Sequence, residues 1–347
     1  MKAAYVYEKE RMEIRDMPMP EISGGEALIE IIYAGVCGSD ITMYRAEHPT
    51  AKPPVVLGHE IFGIVREVCP SNGSTIGAPF DIRVGDRVTA EPLVYCGVCE
   101  ACRQGFGNVC GKLRLIGIHL DGAYSQFVKA GIDKLVKIES GIPDKLGALA
   151  EPFAVAYHLC MRANLHGGED ALIIGAGPIG NTVAVMARAF GANVTVSEPN
   201  EARRATAAAL GFPTHDPTCG DEPGLLEATG GVGFDVVFEA SGSKAGILST
   251  TRLCKIHGVI VPLALAGAPV EFILGQVSFK EITVVGSRVY PFQHFKRGVE
   301  MLEKLYMSGT ELNPLVSDTL PLCDAQKAVD MMISGKNACK ILLDARA

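Results

Sequence analysis

Three things are scarce in this 347-residue sequence: uninterrupted apolar runs, surplus positive charge and repetition. The opening residues, Met1-Lys-Ala-Ala-Tyr-Val-Tyr-Glu-Lys-Glu, carry charges where a secretion signal needs an apolar core. The most apolar stretch, Gly258 to Leu274, is interrupted by Pro262, Gly267, Pro269 and Glu271, so it reads as a buried strand plus loop and not as a membrane span. The net charge of −7 excludes a general nucleic-acid surface. No internal repeat, linker or low-complexity tract is present, which points to a second domain inserted between parts of the first. Hydrophobic residues at 48% and charged residues at 20% fit a soluble globular protein of about two domains. Eleven cysteines, an odd number, without a secretion signal point to a reducing compartment, expected to be the cytoplasm, where thiols bind metal or stay free.

Four of those cysteines stand close together. Cys96, Cys99, Cys102 and Cys110 follow a C-x2-C-x2-C-x7-C spacing, with Gly97, Gly105 and Gly107 between them. Glycines let the short loops turn tightly enough to aim four thiolates at one Zn²⁺. The ordinary alternative is four buried or paired thiols, and the tight spacing speaks against it. Such a site has no open coordination position, so it serves folding and not chemistry.

Residues 1 to about 140 show short apolar runs, such as Ala27–Tyr33, Ile61–Val68, Arg87–Ala90 and Tyr124–Lys129, between Gly/Pro turns. This is the pattern of a small barrel or sandwich. From about 145 strand and helix alternate. Helices are predicted at Leu146–Arg162, Thr182–Phe190, Glu201–Leu210 and Lys244–Cys254. Strands are predicted at Ala171–Ile174, Asn193–Ser197, Asp235–Glu239, Val259–Leu263 and Ile282–Gly286. Alternation of this kind implies a parallel sheet covered on both faces. A helix over Phe295–Met307 and a last strand over Cys339–Leu343 follow. The fold class is therefore α/β: a β-rich domain at 1–147 with a metal lobe at 91–111, a doubly wound domain at 148–287, and a return to the first domain at 288–347.

A second metal site is spread along the chain. Cys37 in Gly35-Val-Cys-Gly-Ser39-Asp40, and His59 and Glu60 in Gly58-His-Glu, are ligand types for zinc, and Glu151 before Pro152 is a fourth candidate. Each has an ordinary reading: a small buried hydrophobe, a turn, a helix start. Together they favour a catalytic zinc with an exchangeable position, which lowers the pKa of a bound hydroxyl. Ser39 is placed to relay the proton and Asp40 to hold the far nitrogen of His59, unless the two serve only as turn or helix cap.

The nucleotide signal is Gly175-Ala-Gly177-Pro178-Ile179-Gly180, directly after an apolar strand and before a helix. Gly175 permits the turn, Gly177 lets backbone approach a pyrophosphate, and Gly180 lets helix and strand pack closely. The helix start favours phosphate charge. Glu198 ends the next strand, where a carboxylate accepts from both ribose hydroxyls and repels a 2′-phosphate, so NAD is favoured over NADP. Arg203, one turn further, blurs that preference.

Cys37-Gly-Ser39-Asp40, Gly58-His59-Glu60, Gly85-Asp-Arg-Val88, the four-cysteine loop, Glu151-Pro152 and the glycine turn occur in one order. Together they resemble the zinc-containing medium-chain dehydrogenase/reductase superfamily across essentially the whole chain. Glu151-Pro152 is similar to the sorbitol and threonine dehydrogenase branch, and Tyr44–Pro49 with Pro54–His59 to its polyol and sugar-acid members. The resemblance implies a GroES-like catalytic domain plus a Rossmann domain, and two zinc ions per subunit, one catalytic and one structural. It implies Cys37, His59 and Glu60 or Glu151 at the catalytic zinc, Ser39 and Asp40 as its relay and support, and Arg288 beside cofactor or substrate. It also implies a homodimer or homotetramer. Departures from the pattern are Cys69 in place of a glycine, the polar segment Pro70–Asp81, and Asp121-Gly122-Ala123 in place of a double glycine. The expected reaction is reversible NAD-linked oxidation of a secondary hydroxyl of a polyol, sugar or sugar acid. The substrate is a small molecule, with neither nucleic acid nor membrane as partner. Arg45, His48 and Lys52 are candidate contacts for a substrate carboxylate or phosphate, or a solvated basic loop. An L-threonine or butanediol dehydrogenase is the alternative within the chemistry. A catalytically silent protein that binds nucleotide and zinc is the alternative outside it.

Overall fold

The structure is a computed structural model, and it describes residues 1–70, 81–220, 222–264 and 269–347. Most of the polar segment Pro70–Asp81, and Gly267 in the apolar stretch, lie outside the described residues. The chain forms two compact units. The first comprises Met1–Glu151, Pro291–Ser308 and Val316–Ala347; the second comprises Pro152–Tyr290 and Gly309–Leu315.

Among the described residues, the first unit is built on a seven-stranded sheet. Leu135–Lys137, Arg87–Ala90, Glu60–Cys69, Glu26–Gly35, Lys340–Asp344 and Val316–Pro321 lie side by side in that order, and Phe127–Gly131 also pairs with Glu26–Gly35. Glu26–Gly35 and Glu60–Cys69 run antiparallel, with Gly35 opposite Glu60. Lys340–Asp344 is antiparallel to Glu26–Gly35 on its other side, with Leu342 opposite Gly35. Three strands distant in sequence thereby meet at one end. Ala27, Ile29, Ile31, Ala34, Ile61, Val65, Val88, Ile341 and Leu343 are buried in the core they share.

The run that reads as a strand over Tyr124–Lys129 forms its strand three residues later, at Phe127–Gly131. Tyr124 is instead fully buried and donates its hydroxyl hydrogen to Asp40. The helix expected over Leu146–Arg162 is two helices, Asp144–Gly147 and Ala150–Ala163. Pro152 explains the restart: a residue without an N–H fits the first turn of a helix and not its interior.

Glu91, just past strand Arg87–Ala90, is buried and pairs with Lys134 at 2.5 Å. The Lys134 ammonium also sits 3.8 Å from the Tyr95 ring centroid. Burial outweighs the ammonium and pushes the Glu91 carboxyl up to about 7 from 4.5. An acid raised on folding stabilises fully below its unfolded pKa, and the contribution is lost as pH rises through the folded value. That contribution is on the order of 3 kcal/mol, falling away between about pH 4.5 and 7. Glu91→Gln removes the titration. The Tm of the native protein relative to the variant is therefore expected to drop as pH rises from 5 to 8, and thermal melts across that range check it.

The second unit carries a parallel sheet in the order Thr214–His215, Asn193–Ser197, Asp170–Ile174, Phe234–Glu239, Cys254–Pro262, Thr283–Val284. This is the doubly wound order whose direction reverses between Asp170–Ile174 and Phe234–Glu239. The strand expected at Ile282–Gly286 is shorter, Thr283–Val284, at the sheet edge with both side chains exposed. Helices at Pro178–Ala189, Glu201–Ala209 and Lys244–Leu253 connect the strands.

Candidate active site

Cys37 caps helix Gly38–Tyr44 because the Asp40 carboxylate folds back to accept the Cys37 N–H at 2.9 Å, satisfying a donor that the helix start leaves over. Asp40 is therefore a cap, and it is more than a cap. It is fully buried, its Oδ2 also accepts from Tyr124 Oη at 2.7 Å, and its Oδ1 faces His59 Nδ1 at 3.3 Å. The two atoms are within ion-pair distance without a formed hydrogen bond, and Nε2 stands on the other side of the ring. Ser39 Oγ lies 3.4 Å from that Nε2.

His59 and Glu60 reach the site from the turn that opens strand Glu60–Cys69. Gly58 makes the turn with φ +98, and a side chain there would meet the Tyr124 ring 2.5 Å away. Glu60 is fully buried beside Gly35, where a Cβ would overlap its Oε2. Glu60 Oε1 pairs with the Lys340 ammonium at 2.5 Å. Lys340 is itself buried and donates to Val36 O at 3.2 Å. Burial works against its charge, yet Glu60 and Cys37 outweigh burial and raise its pKa. Glu151 adds to that lift from the first turn of helix Ala150–Ala163, where it too is buried.

One ligand atom each from Cys37, His59 and Glu60 lies within 4.8 Å of the others. Glu151 is outside this three-residue set. The set fits a cation on two counts. Glu60 Oε2 is buried without a hydrogen-bond partner, a costly state that an ion would relieve. Burial presses on the charged form of His59, but Asp40 and Cys37 outweigh it and lift its pKa well above the usual range. Positive charge is thus wanted at this spot.

The four-cysteine lobe fits a zinc ion by its sulfur spacing. Its sulfur pairs are separated by 3.9 Å (Cys96–Cys102), 3.4 Å (Cys99–Cys102), 3.8 Å (Cys99–Cys110) and 3.5 Å (Cys96–Cys110). A tetrahedron with Zn–S of about 2.3 Å has edges of about 3.8 Å, whereas a disulfide brings two sulfurs to about 2.05 Å. Amides of Val98 and Cys99 hold the Cys96 thiol down at about 6, while burial and the neighbouring thiols push Cys102 up to about 12, so the sulfur spacing and not the acidity carries the metal fit.

In the second unit the glycine turn follows strand Asp170–Ile174. Gly175 has φ +100 and lies against Ser241, and Gly180 sits where a Cβ would overlap Gly175 O. Gly177 caps helix Pro178–Ala189, with Pro178 and Ile179 in its first turn. Glu198 is buried, with Oε2 accepting Ala176 N at 2.7 Å and Oε1 accepting Asn200 N at 2.9 Å. Its carboxylate therefore ties the glycine turn to the next strand's end. Arg204 braces this loop through Glu198 O, Pro199 O and Asp216. Arg203 lies in the first turn of Glu201–Ala209, its N–H donated to Asn200 Oδ1. Arg288 is exposed, beyond the edge strand. Replacing Gly180 with Val is expected to weaken nucleotide binding at least tenfold, because helix and strand must move apart; NADH fluorescence titration checks it.

Sequence reasoning missed Lys340 and Tyr124. Neither belongs to a ligand pattern, and Lys340 stands about 280 residues from Glu60, so only the strand pairing reveals it. Tyr124→Phe keeps the shape and strips a donor from a buried carboxylate. We expect a loss of about 1.5–3 kcal/mol in stability, readable by denaturant unfolding.

Comparison with known proteins follows the same lines. Residues 23–140 match the alcohol dehydrogenase GroES-like domain, and residues 178–304 match the zinc-binding dehydrogenase family. The chain is 34% identical to the 2-dehydro-3-deoxy-L-galactonate 5-dehydrogenase of Pseudoalteromonas atlantica, over 93% of this chain and 92% of that protein. It is 31% identical to the sorbitol dehydrogenase of Bacillus subtilis, over 98% and 95%. A zinc-binding dehydrogenase of Sinorhizobium meliloti, solved bound to NADP, superposes with a TM-score of 0.88 at 30% identity, covering 99% of this chain and 98% of that one. With an ion-hungry Cys37/His59/Glu60 set, a tetrahedral four-cysteine lobe and a glycine turn on a doubly wound sheet, the chain is an oxidoreductase that belongs to the zinc-containing medium-chain dehydrogenase/reductase superfamily.

Proposed function

We propose that the protein oxidises a secondary hydroxyl of a sugar acid, or of a related polyol, to the ketone with NAD⁺, reversibly. The observation that carries this reading is the Cys37/His59/Glu60 set, half-buried at Cys37 and buried at His59 and Glu60, with Ser39 Oγ 3.4 Å from His59 Nε2. Similarity to sugar-acid and sorbitol dehydrogenases supports the substrate class. Bound zinc supplies Lewis acidity that makes a secondary hydroxyl acidic near neutral pH, and bound NAD⁺ accepts the hydride from its carbon.

The chain's residues do the rest. Cys37, His59 and Glu60 hold the catalytic zinc, with Glu151 a buried carboxylate nearby. Asp40 orients His59, and Tyr124 orients Asp40. Ser39 takes the substrate's hydroxyl proton and passes it outward. Lys340 keeps Glu60 in place without supplying a ligand. Cys96, Cys99, Cys102 and Cys110 hold a second, structural zinc. Gly175, Gly177, Pro178, Ile179 and Gly180 form the phosphate turn, and Arg203 and Arg288 stand on the nucleotide-binding unit. Glu198 places a buried carboxylate at the ribose end, which favours NAD over NADP.

The exposed edge strand Thr283–Val284 supports pairing with a second copy, giving a dimer or tetramer; light scattering should read a multiple of 36.8 kDa. Among the described residues no helix is long and apolar enough to cross a membrane. The many thiols support residence in the reducing cytoplasm.

The test is an NAD⁺-coupled panel of aldonates, alditols, L-threonine and butane-2,3-diol, run beside NADP⁺. Turnover strongest on an aldonate or alditol with NAD⁺ supports the reading. Turnover confined to L-threonine or the diol would replace the substrate class, and none at all, with nucleotide and zinc bound, would make the protein a silent binder.

A further inference from the structure

Resting on the nucleotide-binding reading above, we propose that Glu239 is a positioning residue for the nucleotide: its carboxylate holds the loop 240–243 as a preformed wall beside the glycine turn. Glu239 ends strand Phe234–Glu239, which pairs with Asp170–Ile174 on the side away from Asn193–Ser197. The residue is 2% exposed. Its Oε1 accepts Ser241 N at 3.0 Å, Ser241 Oγ at 2.5 Å and Gly242 N at 3.0 Å, and Oε2 lies 3.3 Å from the same Gly242 N.

An ionised carboxylate is costly to bury, and its hydrogen bonds are roughly twice as strong as those of a neutral acceptor. Here those bonds go to the loop that follows the strand, where Ser241, Gly242 and Ser243 are exposed. A buried charge thus fixes an exposed polar loop. The order it imposes carries further. Ser241 Oγ accepts Ser243 N at 3.1 Å and lies 2.9 Å from Ser243 Oγ. Ser243 Oγ accepts Gly246 N at 3.0 Å and so caps helix Lys244–Leu253. Gly246 makes this packing possible, since a Cβ there would lie 2.4 Å from Ser241 Oγ and 3.1 Å from Glu239 Oε1.

The loop abuts the glycine turn. A side chain at Gly175 would meet Ser241 N at 2.9 Å and Ser241 Cα at 3.0 Å. Ala240 N donates to Ile174 O at 2.8 Å, which holds the loop to the residue before the turn. Glu198 does a like task on the opposite flank. It too ends a strand, is buried, and accepts the N–H of the residue two further on, Asn200, while Pro199 and Asn200 are exposed. The turn, half-buried at Gly177, Pro178 and Ile179, is thus flanked by two loops, each held by a buried carboxylate. A doubly wound sheet takes its ligand at the carboxyl ends of the strands where the order reverses, and that point lies between Asp170–Ile174 and Phe234–Glu239. The adenosine–pyrophosphate half of a dinucleotide is the part that the turn and its flanks receive. A wall ordered before the nucleotide arrives need not be ordered as it binds, which preserves affinity.

The experiment titrates NADH and ADP-ribose into native protein, Glu239→Leu and Glu239→Gln by calorimetry. ADP-ribose lacks the nicotinamide, so its binding does not report on the metal site. In Glu239→Leu both Kd values are expected to rise at least about tenfold, and in Glu239→Gln, which keeps one weaker acceptor, at least about threefold. Glu239→Gln is nearly isosteric and keeps the test alive if Glu239→Leu folds poorly. A merely structural role would lower the fraction of folded protein, hence the stoichiometry, and leave Kd in place. Glu239→Gln that binds both ligands as tightly as the native protein, or loses affinity for NADH alone, would overturn the inference and leave the nucleotide reading intact. A native protein that binds neither ligand would overturn that reading and this inference with it.

Discussion

Cys37→Ser is expected to lower kcat/KM at least about a thousandfold while leaving one zinc ion per chain. The thiolate is the soft anion of a three-residue set, and a serine hydroxyl stays protonated near neutral pH. Loss of the ion removes several kcal/mol of stabilisation from the developing alkoxide, and every 1.4 kcal/mol is tenfold in rate. The proposed lobe metal depends on four other cysteines, at sulfur spacings that owe nothing to Cys37. Metal analysis and an NAD⁺-coupled assay on the same preparation read both effects. Full activity with one zinc, or loss of both ions, would contradict this assignment of roles.

Lys340→Met should destabilise the protein by about 3–5 kcal/mol when metal has been stripped by a chelator, and by clearly less when zinc is present. Lys340 is buried, and its ammonium is 2.5 Å from a fully buried Glu60. Removing one partner of a buried pair leaves an uncompensated charge. In the stripped protein nothing replaces the ammonium. In the loaded protein the metal itself stands against Glu60 and offsets part of the loss. Chemical unfolding of native and variant protein, each with and without zinc, gives the four numbers. Equal destabilisation in both states would mean that Glu60 and the metal do not interact.

Much of this arrangement was legible in the sequence, and particular residues show why. The cysteine lobe and the glycine turn are local: their spacing alone sets the geometry, and the structure gives one four-sulfur cluster and a strand–turn–helix at those places. Cys37, His59 and Glu60 carry recognisable neighbours, Gly-Ser-Asp and Gly-His-Glu, whose glycine and capping roles are again local. Lys340 could not be read this way. A lysine in a final strand looks like surface, and it is buried only because strands Lys340–Asp344, Glu26–Gly35 and Glu60–Cys69 pair in a fixed register. Tyr124 reads as part of a strand because apolar alternation does not see a hydroxyl that donates to Asp40. The helical pattern of Leu146–Arg162 runs through Pro152, whose place in a first turn marks the start of a second helix.

The most direct test of the central claim is anomalous X-ray scattering at the zinc edge from crystals of the native protein. The account predicts two peaks per chain: one equidistant from the sulfurs of Cys96, Cys99, Cys102 and Cys110, and one bonded to Cys37 Sγ and His59 Nε2. A single peak in the cysteine lobe, with the Cys37 and His59 side chains turned from each other, would contradict it.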